Sequence, residues 1–176
     1  MQASTATDHT HSGAREFLAL VQNSWKFGFF MLSKLPAAFF SGVRVKEISI
    51  DAAKVSVPYK WFSQNPFRST YFACLSMAAE MSTGLLCMMQ LHGRELAVSM
   101  LVVKLEGEFL KKATGITTFT CTDGPMIARA VEEAISSGDS VQIRSESIGL
   151  SESGEVVAIF HVTWSFRVKS SGRKNP

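Results

Sequence analysis

From Asn65 to Leu91 the chain reads NPFRSTYFACLSMAAEMSTGLLCMMQL, with apolar or small side chains in almost every helical direction. Phe72, Cys74, Leu75, Met77, Ala78, Met81, Leu85, Leu86, Met88 and Met89 leave no polar face. The pattern predicts a helix over 66–91, and a helix apolar all round is buried, in a bilayer or inside a protein. One charge interrupts it, Glu80, with Ser76 four residues before and Thr83 three residues after on the same side. An ionised carboxylate there carries a large desolvation cost unless something satisfies it or uses it.

The flanking segments carry other periods. Phe17, Leu18, Val21, Trp25, Phe29 and Leu32 recur at threes and fours, predicting an amphipathic helix over 14–35 that Pro36 ends. Such a stripe covers an open sheet or groove more often than it lies on a membrane. Val43 to Ile50 and Lys54 to Tyr59 are dense in β-branched residues and read as a hairpin turning at Asp51-Ala52-Ala53. Trp61 to Asn65 is a loop, Pro66 precedes the long helix, and Ser69 and Thr70 are its candidate N-caps. Strands follow over 96–109 and 116–122. Asp123-Gly124-Pro125 then starts an amphipathic helix over 126–137. Two more strands, Val141–Leu150 and Val156–Val168, are joined by Ser151-Glu152-Ser153-Gly154.

One apolar helix among about six strands has a simple physical solution. A curved antiparallel sheet wraps the helix, and the side left open is closed by a partner subunit or by the N-terminal helix. The expected class is α+β, a single domain over 14–169 with no internal repeat and no linker. Polar tails are expected at 1–13 and 170–176.

Composition narrows the partners. With 176 residues the chain can bury a core without staples, and 46% apolar against 19% charged residues is a globular balance. A net charge of +3, partly from the terminal SSGRKNP, gives no case for nucleic acid. Cys74, Cys87 and Cys121 show no CxxC and no Cys/His spacing, so they read as small buried hydrophobes of a reducing cytoplasm. His9 and His11 have no neighbouring ligands, and no metal is expected. Phe17 to Phe40 is broken by Lys26, Lys34 and Pro36 and is too short an apolar run to span a membrane. The opening MQASTATDHTHSG has neither the basic start nor the apolar stretch of a secretory signal.

At Asn65, Tyr71-Phe72-Ala73 and Glu80 the chain resembles the hotdog-fold thioesterases, in the branch related to the phenylacetyl-CoA thioesterases. That branch has an Asn, a Gly three residues on, His-Gly-Gly from six residues on, and an acidic residue fifteen on. Here Asn65 and Glu80 fill the first and last places, while Arg68 stands for the glycine, Tyr71 for the histidine and Phe72-Ala73 for the glycine pair. Gly107 to Gly115, GEFLKKATG, is similar to a further strand of that family, and the likeness covers about Gly42 to Val168.

The resemblance implies a hotdog fold and hydrolysis of an acyl-CoA or other acyl thioester. It implies no cofactor beyond the coenzyme A of the substrate. It also implies a homodimer or a tetramer of dimers, because the family often places the acid of one protomer at the helix start of the other. Physically, a buried carboxylate can activate a water, and free N–H groups in a first helical turn, here Thr70 to Ala73, can hold an oxyanion. By resemblance the N–H groups of Phe72 or Ala73 fit best. Asn65 is either a hydrogen-bonding partner of the carbonyl or water, or a turn residue before Pro66. Ser76 or Thr83 is expected to hold Glu80, Tyr71 to line the site, and Arg68 or Lys111-Lys112 to meet coenzyme A phosphates. The competing reading is a non-catalytic acyl-thioester binding module of the same fold, and a membrane-peripheral protein is a third.

Overall fold

The computed structural model describes residues 12–169. The polar tails expected at 1–13 and 170–176, with His9 and His11, lie outside the described residues except for Ser12 and Gly13. A six-stranded, wholly antiparallel sheet runs in the order β1-β2-β4-β5-β6-β3. Its strands are β1 (Arg44–Ile48), β2 (Ala53–Val57), β3 (Val98–Phe109), β4 (Thr117–Cys121), β5 (Val141–Leu150) and β6 (Val156–Val168). The long helix α4 (Phe72–Leu91) lies along the concave face, and α5 (Gly124–Ser137) packs beside it near β5 and β6.

Alternation decides which side each strand offers α4. Val55 and Val57 of β2, Phe119 and Cys121 of β4, and Phe160, Val162, Trp164 and Phe166 of β6 are almost fully buried on the face that α4 and α5 cover. Ser82 of α4 and Ser147 of β5 are both buried, and their hydroxyls pair at 2.7 Å. This pairing removes the cost of two polar groups in the core. Gly149 leaves room for a ring, since a Cβ there would stand 2.5 Å from Phe119 Cε1. Helix α4 is long and apolar enough to cross a bilayer. The enclosing sheet and helices satisfy that surface instead.

The expected single helix over 14–35 is corrected to α1 (Ser12–Gln22) and α2 (Ser24–Lys34), followed by a short α3 (Pro36–Ser41). Asn23 breaks the run: its extended backbone restarts the helix, and its Oδ1 accepts the N–H of Lys26 at 3.1 Å. The break shifts the helical phase, so Phe17 and Val21 stay buried while Trp25, Phe29 and Leu32 turn outward and Phe27 and Met31 turn in. Pro36 sits in the first turn of α3, where its missing N–H costs nothing.

Helix α4 begins at Phe72 rather than Pro66, and Tyr71, not Ser69 or Thr70, is its N-cap residue, without a side-chain cap. Ser69 is tied to Asn65, and the hydroxyl and N–H of Thr70 both donate to the Ala113 carbonyl. Neither side chain is free to cap.

Candidate active site

The segment before α4 is built around Asn65. Its Oδ1 accepts the N–H of Phe67 at 2.9 Å and the N–H and hydroxyl of Ser69 at 3.2 Å, and its Nδ2 reaches the Thr70 carbonyl at 3.5 Å. The side chain thus closes a loop, the role of a turn asparagine. Arg68, where the family pattern has glycine, takes a left-handed conformation with φ 57°. This chain keeps at that position a backbone that glycine adopts freely and arginine rarely.

The loop delivers the chain to α4 with two donors spare. The N–H of Tyr71 donates to the Ser63 carbonyl at 2.7 Å, and those of Cys74 and Leu75 to Tyr71 at 2.9 and 3.3 Å. The N–H groups of Phe72 and Ala73 meet no acceptor among the described residues. They are the unpaired donors of a first helical turn, at the positive end of the helix dipole. A cleft of about 620 Å³ opens beside them, lined by Asn65, Tyr71, Phe72, Phe109, Lys111 and Lys112 among others. Arg68 is exposed and outside this lining, and Lys111 forms an ion pair with Glu155.

Glu80 is partly buried on the α4 side that faces β6. No hydrogen bond or ion pair to its carboxylate comes from any described residue, and burial pushes its pKa above the usual carboxylate range. Gly84, one turn on, makes room for it: a Cβ there would stand 3.3 Å from Glu80 Oε1 and 3.3 Å from the Trp164 ring. Ser76 and Thr83 do not hold the carboxylate, as each spends its hydroxyl on the helix. Ser76 donates to the Phe72 carbonyl at 2.9 Å, and Thr83 to the Glu80 carbonyl at 2.9 Å. Trp164, Gly84 and Phe109 are the site neighbours that sequence reasoning missed; a lone glycine one turn from the only charge of an apolar helix was the available signal.

Cys87 and Cys121 supply no nucleophile. Burial pushes Cys87 well up, with Cys121 and Glu80 adding to the shift, and Cys121 is pushed up to about 12. Both remain thiols near neutrality.

Eight residues separate Phe72 from Glu80, about 12 Å along a helix axis. A single chain therefore holds its carboxylate and its free N–H pair too far apart to touch one small group together. The open side of the sheet lies at β3, an edge strand paired only with β6. Leu105 and Phe109 pair with the inward-facing Val162 and Ala158, so both stand on the concave side, yet they are 45% and 51% exposed. Helix α4 leaves this end of the sheet uncovered.

A curved antiparallel sheet around one central helix, with a cleft at the helix start, is the hotdog fold. Solved structures agree on the fold. A Pseudomonas aeruginosa protein described as a probable thioesterase matches with a TM-score of 0.69 at 20% identity, over 82% of this chain and 96% of its own. A Chlorobaculum tepidum protein of unknown function matches with a TM-score of 0.71 at 16% identity, over 88% and 99%. The PaaI protein of the Escherichia coli phenylacetic acid degradation operon matches with a TM-score of 0.58 at 16% identity, over 86% and 97%. Within this class the chain belongs to the DUF4442 family, a domain of unknown function, whose profile matches residues 24–166. No curated protein matches the chain in sequence.

Proposed function

We propose that this chain hydrolyses an acyl thioester, with coenzyme A as the natural carrier, in a site completed by a second copy. The observation that carries the reading is Glu80, a desolvated carboxylate with no partner among the described residues, on the β6-facing side of a helix with no other charge. Ionised, it takes a proton from a water whose oxygen bonds to the thioester carbon. The carbonyl electrons move onto oxygen, where the free N–H groups of Phe72 and Ala73 of the other copy meet the charge. The C–S bond then breaks, and the leaving thiolate recovers the proton from Glu80, giving a carboxylic acid and a thiol.

The separation of carboxylate and helix start supports a dimer, and so does β3. A twelve-residue edge strand with Leu101, Val103 and Leu105 exposed is a surface that a second β3 would cover. A non-catalytic acyl-thioester binder of the same fold is favoured by two observations. Asn65 is consumed by its own loop, and Tyr71 and Phe72 put aromatic surface at the cleft.

Incubation with acyl-CoAs of several chain lengths, with free thiol measured, separates the two. Hydrolysis that Glu80→Gln reduces by at least about a hundredfold is expected. Binding without thiol release, or equal rates in wild type and Glu80→Gln, selects the binder. Leu101→Lys with Leu105→Lys should yield a folded monomer without turnover; an active monomer would remove the second copy from the site.

A further inference from the structure

The N-terminal helices present a surface that the cleft does not use. Opposite the buried Phe27 and Met31, α2 exposes Trp25 at 90%, Phe29 at 73% and Leu32 at 41%. A second apolar group stands where α3 meets the 3₁₀ turn Trp61–Ser63. There Phe40 and Phe62 lie 5.7 Å apart between ring centroids, and Trp61 and Phe62 4.7 Å apart, with Trp61 still 75% exposed. Leu35, at the junction of α2 and α3, is exposed as well.

The charges carried by α2 and α3 themselves have one sign. From Phe17 to Lys46 the chain carries Lys26, Lys34, Arg44 and Lys46 and no Asp or Glu. Lys26, Lys34 and Lys60 are exposed and make no ion pair among the described residues. Arg44 lies 4.7 Å over the Phe39 ring and donates to the Phe39 and Val43 carbonyls, which fixes its charge at the edge of the aromatic group.

We infer that α2, α3 and the Trp61–Phe62 turn form a docking face for an anionic lipid surface. Exposed Trp and Phe rings settle at the boundary between headgroups and acyl chains, and lysines reach back to the phosphates on apolar stems. Anionic lipid adds attraction that each unpaired cation collects. A second copy is a poor occupant, since a two-fold contact would set Lys26 and Lys34 against like charges. The same turn leads into the Asn65 loop, where Ser63 accepts the Tyr71 N–H. Docking face and cleft therefore share one loop, and the docking itself requires no chemistry at Glu80.

Flotation of the full chain with phosphatidylcholine vesicles, with and without phosphatidylserine, tests this at low and high salt. Binding is expected to the phosphatidylserine vesicles, weaker to phosphatidylcholine alone and weakened by salt. Blue-shifted emission from Trp25 and Trp61 should accompany it, Trp164 being already buried. Trp25→Ala with Trp61→Ala should lower the partition constant at least about tenfold. Lys26→Glu with Lys34→Glu should abolish the preference for anionic lipid. Both variants change exposed side chains, and unchanged circular dichroism verifies folding. Failure to bind either vesicle overturns the inference, as does binding indifferent to both variants. Loss of a wild-type oligomer in the tryptophan variant without loss of lipid binding would assign the face to self-association instead.

Discussion

The indole Nε1–H of Trp164 on β6 donates to the Thr83 hydroxyl at 2.9 Å, and that hydroxyl donates to the Glu80 carbonyl. Sheet and helix are thus tied at the turn that carries the candidate acid. Thr83→Val keeps the shape but leaves a buried indole N–H unpaired, which costs roughly 1–3 kcal/mol. Thermal unfolding should show that loss for Val and little of it for Ser.

Glu80 should impose a pH dependence on stability. Its native pKa is raised above the ordinary 4.5 by burial, so the native state holds the proton longer than the unfolded chain. Stability is then fullest below about 4.5 and falls as pH rises through the raised value. Glu80→Gln removes the fall: the variant should have the higher Tm near neutral pH, with the difference closing in acid. Equal pH profiles for the two proteins would show that this carboxylate is not desolvated in solution.

Gly84 should be a determinant of activity more than of stability. Alanine would gain about 1 kcal/mol of helix propensity, but its Cβ would press on the Glu80 carboxylate and the Trp164 ring. The expected result for Gly84→Ala is a Tm close to wild type with turnover about tenfold lower, because tenths of an ångström matter at a reacting group. A turnover equal to wild type would place the reaction away from Gly84.

Arg68 carries backbone strain at φ 57°, and Arg68→Gly should relieve it. The strain of about 1 kcal/mol is partly offset by the freer unfolded chain, leaving a gain of about 0.5 kcal/mol. A lower Tm for the glycine variant would show that the arginine side chain contributes more than its backbone costs.

Much of the fold was legible because burial writes itself into local pattern. The alternation of Val156–Val168 and the apolar wrap of Phe72–Leu91 each report a single environment along one element. The starts of the helices were less legible. Ser69 and Thr70 look like caps in sequence, but tertiary contacts with Asn65 and Ala113 claim their polar groups. The unbroken spacing of the stripe through Trp25 and Phe29 predicts an inward face, and one side-chain hydrogen bond at Asn23 is enough to turn it around.

The sequence by itself determined that a nearly all-apolar helix must be enclosed, that strands of the right period exist to enclose it, and that Glu80 is its one charge. Only the tertiary structure decided what that charge meets. Trp164 lies 84 residues along the chain, and its arrival against Gly84 depends on the β5–β6–β3 register. Thr83 and Ser76 each give their hydroxyl proton to a backbone carbonyl of their own helix, leaving the carboxylate without a partner among the described residues. Spacing along a helix states which residues share a side; which of them hold each other is settled by what packs against that side.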